Sequence, residues 1–144
     1  MKNLRAAIVA FTSLVPMFVL AHVTVSPGES TQGVSQKYTV QIPAEGDVAS
    51  IALELEVPEG VNVLGIHVPI GYTYEVTREN SLITTITWQV LVQPGEFIEV
   101  EFVARNPREV SELAWGLKQH FADVTISDWS GGGSAVTRLT PNPQ

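Results

Sequence analysis

The stretch from Leu82 to Ala104 reads LITTITWQVLVQPGEFIEVEFVA and indicates the fold better than any other part of the chain. It holds two runs rich in β-branched and aromatic residues, Leu82 to Val92 and Phe97 to Ala104, divided by Pro94-Gly95. In the second run apolar residues alternate with acidic ones, which is typical of a strand with one buried face. Proline and glycine end such runs because their backbone preferences suit turns. The stretch therefore predicts two strands and the turn between them.

The rest of the chain from His22 onward repeats this pattern of short apolar runs broken by Pro, Gly, Asn and acidic residues, with little helical periodicity. We predict strands near Val23 to Ser26, Lys37 to Ile42, Ala49 to Val57, Asn62 to Val68, Tyr72 to Thr77, Leu82 to Val92, Phe97 to Ala104, Glu112 to His120 and Asp123 to Trp129. About nine strands at this spacing predict an all-β domain, an immunoglobulin-like sandwich of two sheets, with a closed barrel as the alternative. Trp88 and Trp115 lie in apolar strand patterns and are predicted core residues.

The first 21 residues have the layout of a secretory signal peptide. Lys2 and Arg5 precede an apolar run from Ala6 to Val15, and the segment contains no acidic residue. We expect cleavage between Ala21 and His22, with an uncleaved membrane anchor as the alternative. No later apolar run approaches the roughly 20 residues of a membrane span. The sequence thus predicts an exported protein, periplasmic or extracellular, whose mature chain begins at residue 22 and has no membrane span.

The last residues, 130–144, begin with Gly131-Gly132-Gly133 and close with Pro141 and Pro143. Glycine-rich and proline-rich termini are often poorly ordered. We therefore predict a flexible tail over 130–144 and a single domain over 22–129.

The composition excludes several classes of function. The chain has 144 residues, of which 44% are hydrophobic, and this suits one compact domain. Lys plus Arg number 8 against 15 Asp plus Glu, and removal of 1–21 would leave 6 against 15, a formal charge of −9. Such an acidic chain is a poor partner for a phosphate backbone, so we expect no nucleic-acid binding. With no cysteine, any metal must be held by nitrogen and oxygen.

The candidate for metal chemistry is His22, one of 3 histidines. Export would give this residue a free α-amine beside its imidazole Nδ1, and the two nitrogens can chelate one ion. A bidentate nitrogen pair suits the tetragonal preference of Cu(II), which also stands at the top of the divalent affinity order. The alternative is that His22 is only a solvated strand end. No Gly-x-Ser-x-Gly motif or phosphate-binding glycine loop is present, so hydrolase and nucleotide-binding functions have no support.

Three motifs occur in order along the chain. They are His22-Val23-Thr24-Val25-Ser26-Pro27, Pro94-Gly95-Glu96-Phe97-Ile98-Glu99, and Gln119-His120-Phe121-Ala122-Asp123 followed by Trp129. Together they resemble the YcnI-like copper-binding domain family. The family shows an N-terminal His-Val-Thr-Val-x-Pro, a Gly-Glu-Phe-x-Glu-Phe strand and a Gln-x-Tyr-Ser-Asp-Gly-x-Val-x-Trp ending in the same order. The match spans nearly the whole mature chain.

The resemblance implies a copper site built on one histidine. Its parts would be the amine and imidazole of His22, a glutamate carboxylate, here Glu96 or Glu99, and the indole of Trp129 close to the metal. Strand alternation places Glu96 on the core-facing side, at the rim of the sandwich, and Glu99 on the opposite side. On that reasoning we favour Glu96. The alternatives are that both glutamates are solvated edge residues and that Trp129 is a core aromatic.

The sequence departs from the family pattern near its end. Phe121, Ala122 and Val124 stand where the family has Tyr, Ser and Gly, and a different final turn is therefore expected. His120 could face solvent or add a nitrogen near the site, and we favour solvent. His67 is predicted to be a strand residue without metal.

These observations predict an exported Cu(II)-binding protein acting in copper trafficking or homeostasis, and not an enzyme. A copper transporter or a copper chaperone is the candidate partner. A metal-free sandwich that only makes protein contacts is the first alternative. A copper oxygenase is the second, and it would need a second histidine in the site, from His67 or His120.

Overall fold

The computed structural model describes residues 22–132 and 135–143, and in that part of the chain it contains twelve strands and no α-helix. The signal peptide predicted over 1–21 lies outside the described residues. The strands are β1 (Thr24–Ser26), β2 (Glu29–Thr31), β3 (Ser35–Pro43), β4 (Ser50–Glu56), β5 (Asn62–His67), β6 (Thr73–Glu79), β7 (Leu82–Val92), β8 (Phe97–Arg105), β9 (Glu112–Ala114), β10 (Gly116–Phe121), β11 (Ile126–Asp128) and β12 (Val136–Thr140).

Two large antiparallel sheets form the sandwich. One has the strand order β1-β3-β8-β5, and the other has the order β11-β10-β4-β7-β6. A small third sheet, β2-β12-β9, pairs β12 parallel to β2 and antiparallel to β9. The predicted all-β sandwich of two sheets is confirmed, with this third sheet as an addition.

The stretch from Leu82 to Ala104 supplies one inner strand to each large sheet. Within β8, Val100, Phe102 and Ala104 are buried while the intervening side chains face outward. Within β7, Trp88 and Val90 alternate in the same way. The buried residues of both sheets belong to one core cluster. The period-two pattern therefore reports the inner face of each sheet, as expected for a sandwich.

An aromatic group fills the middle of the core. The ring centroids of Phe102 and Trp115 lie 5.4 Å apart, those of Tyr38 and Trp115 lie 4.9 Å apart, and those of Trp88 and Phe102 lie 6.4 Å apart. These spacings are the ones at which aromatic rings attract beyond their area burial. Trp88 and Trp115 are fully buried, so their predicted core positions are confirmed.

Two predicted strands differ in extent from the structure. The run predicted as one strand from Glu112 to His120 is divided between the small sheet and the five-stranded sheet, because Trp115 leaves the ladder and bonds to Ala135. The strand predicted to begin at Asp123 begins only at Ile126, because a turn occupies the residues before it.

The flexible tail predicted beyond Trp129 is wrong from Ala135 onward. Strand β12 lies in the middle of the small sheet, and Ala135, Thr137 and Leu139 are buried. The Thr137 hydroxyl accepts a hydrogen bond from Trp115 Nε1 at 3.1 Å. The domain therefore extends past the predicted boundary, because the alternating residues of this strand complete the core.

Candidate metal centre

His22 stands at the edge of the four-stranded sheet. Strand β1 pairs with β3 so that Thr24 lies opposite Gln41, and continuing that register by two residues brings His22 opposite Pro43. Val23 is completely buried and anchors the start of the strand, whereas His22 is exposed. The buried Val23 therefore fixes the position of His22 opposite Pro43, where the turn after β3 begins.

Trp129 meets this imidazole from the other large sheet. The ring centroids of His22 and Trp129 lie 4.9 Å apart, with the planes inclined at 51°. Strands β1 and β11 are edge strands of their sheets, and Trp129 directly follows β11. Its indole also packs against the core, so the core position and the position beside His22 are compatible. The structure thus brings together two residues that the sequence singled out.

The carboxylate on which the charge of His22 acts belongs to Glu45, which the sequence reasoning missed. Glu45 lies in the turn after β3, and its Oε1 atom is buried without a hydrogen-bond partner among the described residues. Burial raises the pKa of Glu45 above its ordinary value, and the charge of His22 partly offsets that rise. The sequence marked this position only as a turn, because nothing local indicates that β1 begins near it.

The side chains of Glu96 and Glu99 have other surroundings, although the Glu96 carbonyl accepts a hydrogen bond from the backbone N–H of Ala44 at 3.0 Å. Glu96 belongs to the turn before β8, where its Oε2 atom accepts a hydrogen bond from the backbone N–H of Gln93 at 3.1 Å, and Glu99 is exposed on β8 opposite Gln41. Across residues 22–132 and 135–143, no three His, Asp or Glu side chains are grouped as metal ligands. Neither glutamate therefore joins His22 and Glu45. The strand alternation used to place Glu96 does not reach it, since β8 begins at the next residue.

The other two histidines contact carboxylates on the outer faces of the sheets. His120 alternates with the buried Gln119 along β10, so it faces outward, and its Nε2 atom lies 3.9 Å from Glu54 Oε2. His67 is exposed at the end of β5, and its Nδ1 atom lies 3.8 Å from Glu101 Oε2. His120 therefore lies on the opposite face of β10 from Gln119, the residue that binds the Trp129 indole.

Gln119 connects Trp129 to the turn after β3. Its side chain is fully buried, and its Oε1 atom accepts a hydrogen bond from Trp129 Nε1 at 3.0 Å. Its Nε2 atom donates to the Pro43 carbonyl at 2.7 Å and to Ser50 Oγ at 2.5 Å. Pro43 and Ser50 bracket the turn that carries Glu45. The sequence reasoning used Gln119 only as a motif residue.

The hairpin that joins Gln119 to Trp129 contains a strained residue. Val124, which replaces the glycine of the family pattern, has a φ of 66° and an exposed side chain. This left-handed conformation suits glycine and is unfavourable for a β-branched residue. The Asp123 carboxylate supports the turn by accepting hydrogen bonds from the backbone and the hydroxyl of Thr125. The turn therefore forms despite the substitution.

The chemistry available at this edge is that of nitrogen and oxygen ligands beside an aromatic wall. His22 offers an imidazole, and Glu45 offers a carboxylate oxygen that has no hydrogen-bond partner among the described residues. The indole of Trp129 cannot be an ordinary ligand, because its nitrogen only donates and already bonds to Gln119. It can present a ring face to an ion and exclude water.

Comparison with known proteins agrees with the sequence motifs. Residues 22–143 match the family described as a domain of unknown function, DUF1775. The chain belongs to this family. The copper-binding protein CutI of Bacillus subtilis (strain 168) is 30% identical over 120 residues, which cover 81% of the DUF1775 chain and 59% of CutI. The resemblance to YcnI-like proteins inferred from the sequence is thereby confirmed.

Solved structures support the fold of this DUF1775 protein. An uncharacterised protein from Nocardia farcinica, described as having an immunoglobulin-like fold, superposes with a TM-score of 0.66 at 23% identity and covers 85% of this chain and 99% of its own. A cohesin module from a Clostridium perfringens family 33 glycoside hydrolase gives a TM-score of 0.58 at 13% identity, covering 85% and 98%. At these identities the likeness concerns the fold alone, and it confirms the immunoglobulin-like sandwich. Within the described residues, the search for a helix able to cross a membrane finds none.

Proposed function

We propose that this DUF1775 protein is an exported Cu(II)-binding protein that carries copper at the edge of its sandwich. One observation carries the proposal. The ring centroids of the exposed His22 imidazole and the Trp129 indole lie 4.9 Å apart, and the charge of His22 acts on Glu45, whose buried Oε1 atom has no hydrogen-bond partner among the described residues. The name of the relative CutI, a copper-binding protein, supports the choice of metal.

His22 would supply two nitrogens once residues 1–21 are removed. The α-amine and imidazole Nδ1 then close one chelate ring, so that little conformational entropy is lost on binding. The α-amine has an ordinary pKa of about 8, so displacing its proton near neutral pH is inexpensive. Two nitrogens in one plane suit Cu(II).

Glu45 would supply the oxygen ligand in this proposal, in place of the glutamates that the sequence favoured. A buried carboxylate without hydrogen bonds is unfavourable unless a positive charge compensates it. The Oε1 atom of Glu45 has no such bond in the described chain, and a cation chelated by His22 would provide the charge. The donor set therefore fits a divalent ion of borderline character.

The openness of this site favours transport of copper over catalysis. One chelating residue and one carboxylate leave coordination positions free, so a partner can take the ion, whereas closed four-ligand sites hold their metal. His67 and His120 face carboxylates on the outer sheet surfaces, and a two-histidine oxygenase site gains no support from them. We therefore propose a role in copper trafficking or homeostasis, with a copper transporter or copper chaperone as the partner, and no enzymatic activity.

Calorimetric titration with Cu(II) tests the proposal. A chain that begins at His22 is compared with one that carries a single additional Met before it. We expect stoichiometric binding by the first and a loss of at least about 100-fold in affinity for the second, since removing a direct ligand exceeds the effect of removing its supporting groups. Equal binding by both chains would refute the chelate, and no binding by either would leave a metal-free interaction module.

Electron paramagnetic resonance of the copper-loaded chain tests the carboxylate. Glu45→Gln is expected to change the copper hyperfine splitting. Glu96→Gln and Glu99→Gln make the same chemical change at the two glutamates favoured by the sequence, and their spectra should equal that of the wild type. A spectrum altered by Glu96→Gln or Glu99→Gln but not by Glu45→Gln would reassign the ligand.

A further inference from the structure

We propose that Gln119 is the positioning residue of this metal site, because one buried amide holds both the indole of Trp129 and the turn that carries Glu45. This inference rests on the copper site proposed above. It concerns a residue that touches no metal and acts through the groups that do.

One hydrogen bond of Gln119 orients the indole of Trp129. Trp129 is half-buried, and its N–H donates to Gln119 Oε1 at 3.0 Å. That bond restricts rotation of the ring about its side-chain bonds. Since the ring centroids of Trp129 and His22 lie 4.9 Å apart, fixing the indole also fixes the ring surface that the imidazole meets.

The other two hydrogen bonds of Gln119 hold the turn that carries Glu45. Gln119 Nε2 donates to the carbonyl of Pro43 and to the hydroxyl of Ser50, at the two ends of the turn. Within it, Glu45 and Val48 form an isolated bridge, so the turn is a compact unit fixed at its base. A change at the base would displace the Glu45 carboxylate relative to His22.

The amide group has the required chemistry. It offers one acceptor for a donor-only indole and two N–H donors for a carbonyl and a hydroxyl, so all three bonds are made at once. Methionine has nearly the same length and makes none of them. Gln119→Met therefore removes the bonds with little change in volume, whereas Ser50→Ala removes one bond to the turn and leaves the indole bond in place.

Two readouts on chains that begin at His22 test the inference. The metal-free protein is examined by NMR of the His22 ring protons, whose shifts report the position of the indole. The copper-loaded protein is examined by electron paramagnetic resonance and by titration. We expect Gln119→Met to shift the His22 signals, to alter the copper spectrum and to lower Cu(II) affinity by about 10- to 100-fold, as for other groups that support metal ligands.

Asn106→Leu is the matched control, since Asn106 is also a buried amide with three side-chain hydrogen bonds but has no contact with Trp129 or Gln119. It should leave both readouts as in the wild type. If Gln119→Met does not fold, Ser50→Ala replaces it, with an altered copper spectrum and little change in the His22 signals expected.

The outcomes separate this inference from the proposed function. Wild-type spectra in the copper-loaded Gln119→Met or Ser50→Ala protein would overturn the inference and leave the copper site standing. Equal changes in Asn106→Leu would also overturn it, because the effect would then be general destabilisation. A wild-type chain that binds no copper would overturn the proposed function and the inference together.

Discussion

Two buried amides organise two regions of this molecule in the same way. Asn106 accepts a hydrogen bond from the Tyr38 hydroxyl at 2.6 Å and donates to Ser30 Oγ at 3.0 Å and to the Thr31 carbonyl at 2.8 Å. Gln119 likewise accepts one bond and donates two. Each side chain therefore ties together elements that are distant in the sequence.

The two networks differ in where they end. Around Asn106 the bonds lead into the core through Tyr38 and into the small sheet through β2, so the network is closed within the protein. Around Gln119 they lead to Trp129, which faces the exposed His22, and to the turn of Glu45, whose carboxylate oxygen has no partner in the described residues. Equal hydrogen bonding thus supports stability in one region and leaves ligand groups available in the other.

The largest expected effect is the loss of β12 from the closed region. Deleting residues 135–144 removes the strand that pairs with β2, exposes the pocket of Leu139 and leaves Trp115 Nε1 without its acceptor. We expect the free energy of unfolding to fall by about 4 kcal/mol or more, as for other losses that combine core burial and a buried hydrogen bond. Urea denaturation followed by circular dichroism measures it. Deleting only residues 141–144 should leave the free energy of unfolding nearly unchanged. Equal stability of both truncated chains would instead support the flexible tail predicted from the sequence.

The next effect is expected from Asn106→Leu. The change keeps the volume but removes the acceptor of the buried Tyr38 hydroxyl and the side-chain donor to the Thr31 carbonyl. Unsatisfied buried groups each cost about 1–3 kcal/mol, so a loss of about 3 kcal/mol in urea denaturation is expected. Wild-type stability would show that this network is not structural.

Gln119→Met should destabilise less, by about 2 kcal/mol, because the half-exposed Trp129 N–H can bind water once it loses the amide. The same urea experiment compares the two variants directly. A larger loss for Gln119→Met than for Asn106→Leu would reverse the contrast between the regions and make Gln119 the main structural amide.

Alkaline pH should affect the closed region through Tyr38. Burial raises the pKa of the Tyr38 phenol, with hydrogen bonds to Ser30 and Asn106 acting in the opposite direction. The unfolded chain therefore loses this proton first, so the contribution is complete below about pH 10 and declines as pH rises through the folded pKa, by up to about 1.4 kcal/mol per pH unit. Urea denaturation of wild type and Tyr38→Phe between pH 9 and 11 should show a steeper decline for the wild type. Parallel curves would contradict the assignment.

The smallest effect is expected in the hairpin that carries Gln119 and Trp129. Val124→Gly relieves the positive φ of a β-branched residue at the expense of a more flexible unfolded chain. We expect a net gain of about 0.5–1 kcal/mol in thermal or urea unfolding, with the NMR signals of His22 unchanged. Val124→Ala should give no such gain. Altered His22 signals would mean that the strain itself helps to position Trp129.

Most of the sandwich could be predicted because period-two alternation is a local property. Strand β8 shows it through Val100 and Phe102, and the structure buries both. Strand β12 escaped prediction because its flanking glycines and prolines are typical of a tail. Its burial comes from pairing with β2 and from Trp115, neither of which is near it in the chain.

The sequence by itself determined the all-β class and the family and pointed to His22 and Trp129 as candidate site residues, because alternation and ordered motifs are local to the chain. Only the tertiary structure decided that the charge of His22 acts on Glu45 and that Gln119 joins the indole to the turn. These neighbours depend on how β1 registers against β3 and on how two sheets meet at their edges. Such contacts between distant residues leave no periodic trace in the sequence.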